Sequence, residues 1–249
     1  LTCLKGLPID TARAGASVAS PTDAEAAALG AALAPTAEAE TRLRGLLLRP
    51  DPVLSNGTSG SPDWRQIALP AAGATWLALA AVRALGRTGG DIAFATGHDP
   101  APGYVLPWVP VRLDASGTVT EAEARLARAF EAARTATGLA ADLALREPSL
   151  HALIPSGLAV TEGNGPVPDT TITLSGSALW FDATKMPEAE AATLATRISV
   201  LLAAMAAQPD ADASSLNPLS DAETQVYAGT LSATARDYDR SLTIPAAIL

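Results

Sequence analysis

Two short apolar runs lie between two helical patterns, and this arrangement most constrains the fold. From Gly90 to Leu113 the chain reads GDIAFATGHDPAPGYVLPWVPVRL. Asp91–Ala95 and Val105–Leu113 are too short and too apolar for anything but buried strands, with Pro107 and Pro110 expected to interrupt or bend the second by removing ladder donors. Before them, AAGATWLALAAVRALGRTGG predicts an apolar helix ending at glycines, as a helix covered by a sheet should. After them, TEAEARLARAFEAARTATG predicts an amphipathic helix with Leu126, Phe130 and Ala133 on its buried stripe and a capping box of Thr120 with Glu123. Further strands are expected over Trp64–Leu69, Ala152–Val160, Thr170–Leu174 and SALWFDATKM, with a short helix over Leu139–Arg146. Pro187 opens a long helix with a seam of Leu194, Ile198, Leu201 and Met205. The fold class is α/β, a mixed sheet covered by helices.

Composition narrows the function. The formal net charge of -9 opposes the phosphate neutralisation that nucleic acids or anionic membranes require, and no Lys/Arg cluster offsets it. Hydrophobic residues make up 48% of the chain, but the longest apolar runs are too short or too alanine-rich for a membrane span, and Leu1–Ser20 lacks the pattern of a signal peptide. Cys3 is the single cysteine, so no intrachain disulfide or thiolate metal cluster forms. A cytoplasmic protein is expected.

The segments outside the strand-and-helix pattern divide the chain into three. Residues 1–63 are expected to hold an extended leader, two helices beginning PTDAEAAALGAAL and PTAEAETRLRGLLL, and a surface loop or disordered connection from Asp51 to Asp63. Residues 64–207 form the folded body. Residues 208–249 read as a Pro/Ser/Asp linker, a short helix capped by Ser220 with Glu223 at its third position, and an exposed tail, so that the chain looks cut from something longer.

Candidate chemistry is sparse. His98 beside Asp99 has the residue types of an oriented general base, but adjacent side chains in an extended segment point apart, and Pro100 follows, so a turn is the better account. His151 reads as a backbone-satisfied histidine, and two histidines do not make a transition-metal site. Ser59-Gly60, Ser156-Gly157 and Ser175-Gly176 match neither a nucleophile elbow nor a phosphate loop. Gly86, Gly89 and Gly90 follow a helix instead of opening one, the reverse of a dinucleotide site. Trp180-Phe181-Asp182 is expected to close the core, its two rings pointing to opposite sides and Asp182 accepting backbone N–H bonds in the turn toward Thr184.

From Trp64 to Ala228 the order of elements, with ATWLALAAVRALGRTGGDIAFATGHDP, GYVLPWVPVRL, SALWFDATKM and above all LSDAETQVYAGTLSATARDYDRSLTIPAAI, resembles the C-terminal lobe of a nonribosomal peptide synthetase condensation domain and the connector that leads from it to an adenylation domain. The resemblance implies one lobe of a chloramphenicol-acetyltransferase-like (CoA-dependent acyltransferase) fold, as in truncated condensation-like regions of initiation modules and aminoadipate-reductase-like enzymes. The family forms amides with two adjacent histidines followed three positions later by Asp-Gly, and this sequence contains no such motif. The resemblance therefore implies no catalytic residue here beyond the weak candidate His98, no cofactor in this segment, and ATP, Mg and phosphopantetheine only for downstream domains. It implies an adenylation domain in cis as partner, with carrier or other synthetase domains as further contacts, and an interface drawn from Trp76, Leu106, Trp108, Trp180, Tyr227 and Tyr238. The alternatives are an acyl- or aminoacyl-transfer lobe completed by another chain and an independent protein-interaction domain.

Overall fold

In the computed structural model the described residues are 23, 24, 27, 53–54, 61–97, 105–135 and 157–231. The expected helix over Leu139–Arg146 lies outside them, as do residues 152–156 of the expected strand. The chain divides into two units, Leu1–Pro218 and Leu219–Leu249.

In the first unit the elements run β1 (Trp64–Ala68), α1 (Ala74–Ala84), β2 (Gly89–Ala95), β3 (Val109–Asp114), α2 (Val119–Thr135), β4 (Leu158–Thr161), β5 (Ile172–Ser175), β6 (Ala178–Asp182) and α3 (Glu188–Ala207). The six strands form one sheet in the order β1-β6-β5-β4-β2-β3. The β2–β4 and β4–β5 pairs are parallel and the other three antiparallel, so the sheet is mixed, as expected. Alternation sorts its side chains. Ile92, Phe94, Val111, Leu158, Val160, Ile172, Leu174, Leu179 and Phe181 join the apolar faces of α1, α2 and α3 in the main core. Ala93, Ala95 and Ala159 lie on the other face, where Trp108 and Val167 pack on them.

The helices bury the stripes their spacing predicts. Leu126, Phe130 and Ala133 of α2 are buried, as are Leu194, Ile198, Leu201 and Met205 of α3. By length and composition α3 could cross a membrane, but that seam packs into the core of this unit. Between α2 and β2, the Phe130 and Phe94 rings stack with centroids 4.1 Å apart.

Several local expectations are corrected. The capping box of α2 sits two residues early: Thr118 Oγ1 accepts the Glu121 N–H at 3.2 Å, and Glu121 Oε2 accepts the Thr118 N–H at 3.0 Å. The chain turns out of β3 at Gly117, whose φ is 76°, and Val119 is already fully buried, which fixes the earlier start. The second strand of the opening stretch begins only at Val109. Pro110 is tolerated inside it because β3 lies at the edge of the sheet, with β2 as its one partner strand among the described residues. Val53, expected in a loose loop, is buried in the main core and donates its N–H to Asp91 O at 3.3 Å.

Residues 208–218 follow α3 without leaving this unit. Val119 N donates to Ala211 O and Ala213 N to Gly117 O, at 3.0 and 2.9 Å. Arg83 holds the same segment from α1, donating to Ala213 O at 3.0 Å and Ser214 O at 2.7 Å. Ala213 and Leu216 are buried. In the second unit, Ser220 caps α4 (Asp221–Gln225) with the expected box to Glu223, and the helix continues with π-type bonding over Val226–Leu231.

Candidate functional site

Among the described residues, the buried carboxylates of the first unit are Asp91, on the sheet face opposite α1–α3, and Asp182, at the turn after β6. On that face β2 places Asp91, whose side chain is 2% exposed, opposite Arg112 of β3 in the antiparallel register. Arg112 Nη2 donates to Asp91 Oδ2 at 2.8 Å and its Nε to the other carboxylate oxygen. The fork-on-carboxylate geometry satisfies a charge that would otherwise be costly to bury.

At the end of β6 Asp182 is fully buried. Its Oδ1 accepts the Thr184 hydroxyl at 2.7 Å, the Thr184 N–H at 3.0 Å and the Asp63 N–H at 3.1 Å, while Lys185 Nζ stands 3.7 Å from Oδ2. Burial pushes this carboxyl up; the Thr184 hydroxyl, the two backbone N–H groups and the Lys185 ammonium outweigh that effect and hold it below the usual aspartate range. The turn ties the end of β6 to the chain entering β1, since Ala183 N also donates to Asp63 O at 2.8 Å.

At the carboxyl ends of the parallel strands β2 and β4, Gly97 and Gly163 cross backbone on backbone, so close that a Cβ added to Gly163 would stand only 2.6 Å from Gly97 Cα. Arg134 of α2 donates to both carboxylate oxygens of Glu162 beside this crossing and lies 5.9 Å over the Phe94 ring. An open, largely apolar groove of about 540 Å³ runs between the end of α1 and the first half of α3, lined by Leu85, Met186, Thr193 and Leu194 among others.

Of the residues singled out in the sequence, His98, Asp99, His151 and Tyr238 lie outside the described residues. Trp108 is buried on the second sheet face, with Leu106, half-buried, packed against its cluster. Trp180 shares that face by its register with Thr173 and Gln66 and is half-buried, while Phe181 points into the main core, so the two rings take opposite sides as expected. Trp76, also half-buried, packs at the main core and donates its indole N–H to Glu123 Oε1 at 2.6 Å. In the second unit Tyr227, 49% exposed, and its neighbour Val226 are the exposed large hydrophobic residues among those described. No group of three or more His, Cys, Asp or Glu that could hold a metal occurs among the described residues. Sequence reasoning missed the Asp91–Arg112 pair, whose signal was a charged residue flanked by apolar ones in each of two neighbouring strands.

No protein-family model matches the chain, and no curated protein does. Solved structures do. The first condensation domain of the calcium-dependent antibiotic synthetase, in complex with a substrate analogue, superposes with a TM-score of 0.59 at 17% identity, over 84% of this chain and 61% of that one. The X-domain from teicoplanin biosynthesis, in complex with OxyB, gives 0.54 at 19% identity, over 75% and 56%. The starter condensation domain of rhizomide synthetase, in complex with C8-CoA, gives 0.52 at 13% identity, over 74% and 55%. This chain has a condensation-domain fold. It spans a little over half the length of these relatives. The condensation-domain fold fits the mixed sheet with helices on its main core face.

Proposed function

We propose that this condensation-fold chain is a noncatalytic structural body that packs against an adenylation domain of a nonribosomal peptide synthetase or adenylate-forming reductase and fixes the connector to it. One observation carries the reading: among the described residues, the two carboxylates buried at the sheet, Asp91 and Asp182, are both engaged in holding strands and turns together. A general base must reach substrate directly or through one water, and a carboxylate enclosed by its own structural donors is poorly placed for that. The sequence contains two histidines that are not adjacent, so the paired-histidine motif of amide formation does not occur in it. In this reading ATP, Mg and phosphopantetheine serve the neighbouring domains, and the half-buried Leu106, Trp76 and Trp180 with the exposed Tyr227 supply contact surface, together with Tyr238, while the buried Trp108 supports Leu106 from beneath.

The test compares the native assembly with His98→Ala for amide-forming turnover, and with Trp180→Glu and Tyr227→Glu for hydrogen exchange at the adenylation-domain contact. Unchanged turnover and a weakened contact are expected. A large loss of turnover in His98→Ala, with folding and adenylation intact, overturns the noncatalytic reading in favour of an acyl-transfer lobe. A second reading, an independent protein-interaction domain, draws support from the X-domain relative, whose structure is a complex with the separate protein OxyB. Binding of a separate protein in place of an adenylation domain would select it.

A further inference from the structure

We propose that one internal water molecule is held between Thr171 Oγ1, Asp182 Oδ2 and Lys185 Nζ, joining the entry of β5, the end of β6 and the turn into α3. Thr171 Oγ1 and Asp182 Oδ2 are both buried without a hydrogen-bond partner in the protein. The two residues are neighbours, since Asp182 N donates to Thr171 O at 3.0 Å beside the Ile172–Phe181 register pair. A buried polar atom without a partner costs free energy, and native proteins satisfy nearly all such atoms with protein or water.

Lys185 completes the set. Its side chain is 10% exposed, its Nζ donates to Thr170 O at 3.3 Å, and it stands 3.7 Å from Asp182 Oδ2, beyond a direct hydrogen bond. A polar contact longer than about 3.5 Å is one where a bridging water is to be looked for. The charges select the occupant: the Asp182 carboxylate and Lys185 ammonium already balance, so a cation would meet the ammonium and an anion the carboxylate. A neutral water accepts from Lys185 and from the Thr171 hydroxyl and donates to Asp182 Oδ2, three bonds being the usual number for a buried water.

The test is a crystal structure of the full chain at a resolution that shows ordered solvent, paired with thermal unfolding of Thr171→Val and Thr171→Ser. Density for a water within hydrogen-bond distance of all three atoms is expected, and its absence overturns the proposal. Thr171→Val keeps the shape but removes a water partner, so its Tm is expected to fall by about 2–4 °C, with Thr171→Ser closer to the native protein. If the hydroxyl has no water, replacing it by a methyl relieves an unsatisfied group and Tm stays level or rises, which also overturns the proposal.

Discussion

Arg112 Nη2 lies 2.8 Å from Asp91 Oδ2, joining a half-exposed guanidinium to a carboxylate sealed inside the sheet. The pair is asymmetric, and so are the consequences of breaking it. Losing the arginine leaves a buried charge, whereas losing both partners leaves none. Arg112→Leu should therefore lower unfolding stability by about 3 kcal/mol, the low end for a buried pair because water can reach the vacated arginine position. Asp91→Ala combined with Arg112→Leu should recover part of that loss in urea titration, and a double variant worse than the sum of the two singles would contradict the pairing.

Helix α2 has two overlapping Thr-x-x-Glu signals, Thr118 with Glu121 and Thr120 with Glu123, and only the first forms the box. Thr118→Ala should cost about 1 kcal/mol in chemical denaturation. Thr120→Ala removes one exposed bond to Pro209 O and should cost less. The reverse ranking would place the helix start where the sequence alone suggests.

These overlapping signals show where sequence reading stops. Local chemistry permits both boxes; tertiary structure chooses, because Val119 is buried and Glu123 is taken by the Trp76 indole. Signals without a local rival were readable: the α3 seam follows from a period of 3.6, and Ser220 with Glu223 forms its box as expected. At the candidate site the Asp182 turn was legible because its acceptor and donors lie within a few residues, Asp63 apart. The Asp91–Arg112 pair spans 21 positions and exists only once the β2–β3 register is set. The burial of Val53 depends likewise on a distant strand, against a local composition that favours turns.

Leu201 of α3 is fully buried in the main core, and Glu190 on the same helix is exposed. Leu201→Ala should lower stability by about 2–5 kcal/mol through lost transfer energy and the cavity left behind. Glu190→Ala should move the urea midpoint little. Equal shifts would refute the burial assigned to this helix.

Gly97 and Gly163 meet through their backbones, so neither side of the contact can swing away as a side chain would. Gly163→Ala should cost about 1–3 kcal/mol as overpacking. Gly97→Ala should cost more, because its φ of 79° adds strain to the clash. Gly165→Ala, at φ 92° with nothing within 4 Å, separates the conformational part from the contact part. Thermal unfolding of the three variants should rank Gly97→Ala lowest, and parity with Gly165→Ala would remove the contact from the account.

Three aspartates link stability to acid in the same direction. The Asp114 carboxyl is lowered by the Ser116 N–H and hydroxyl, with Arg125 adding to them, and the Asp212 carboxyl by the Ser214 hydroxyl and N–H. In Asp182 burial acts upward, but its Thr184 and Asp63 donors and Lys185 prevail. Each group binds its proton more weakly when folded than unfolded. Their stabilisation is therefore complete above the unfolded aspartate value of about 3.9, falls as pH drops through it, and is gone below the lowered folded values. Unfolding free energy measured from pH 7 to pH 2 should be flat in these terms down to about pH 5 and then decline. Asp182→Asn should be less stable than the native protein at pH 7 and lose less between pH 5 and pH 2, because the variant has one fewer proton to take up on unfolding in acid. An equal acid-induced loss in both proteins would show that the Asp182 turn does not hold its carboxylate in the charged form.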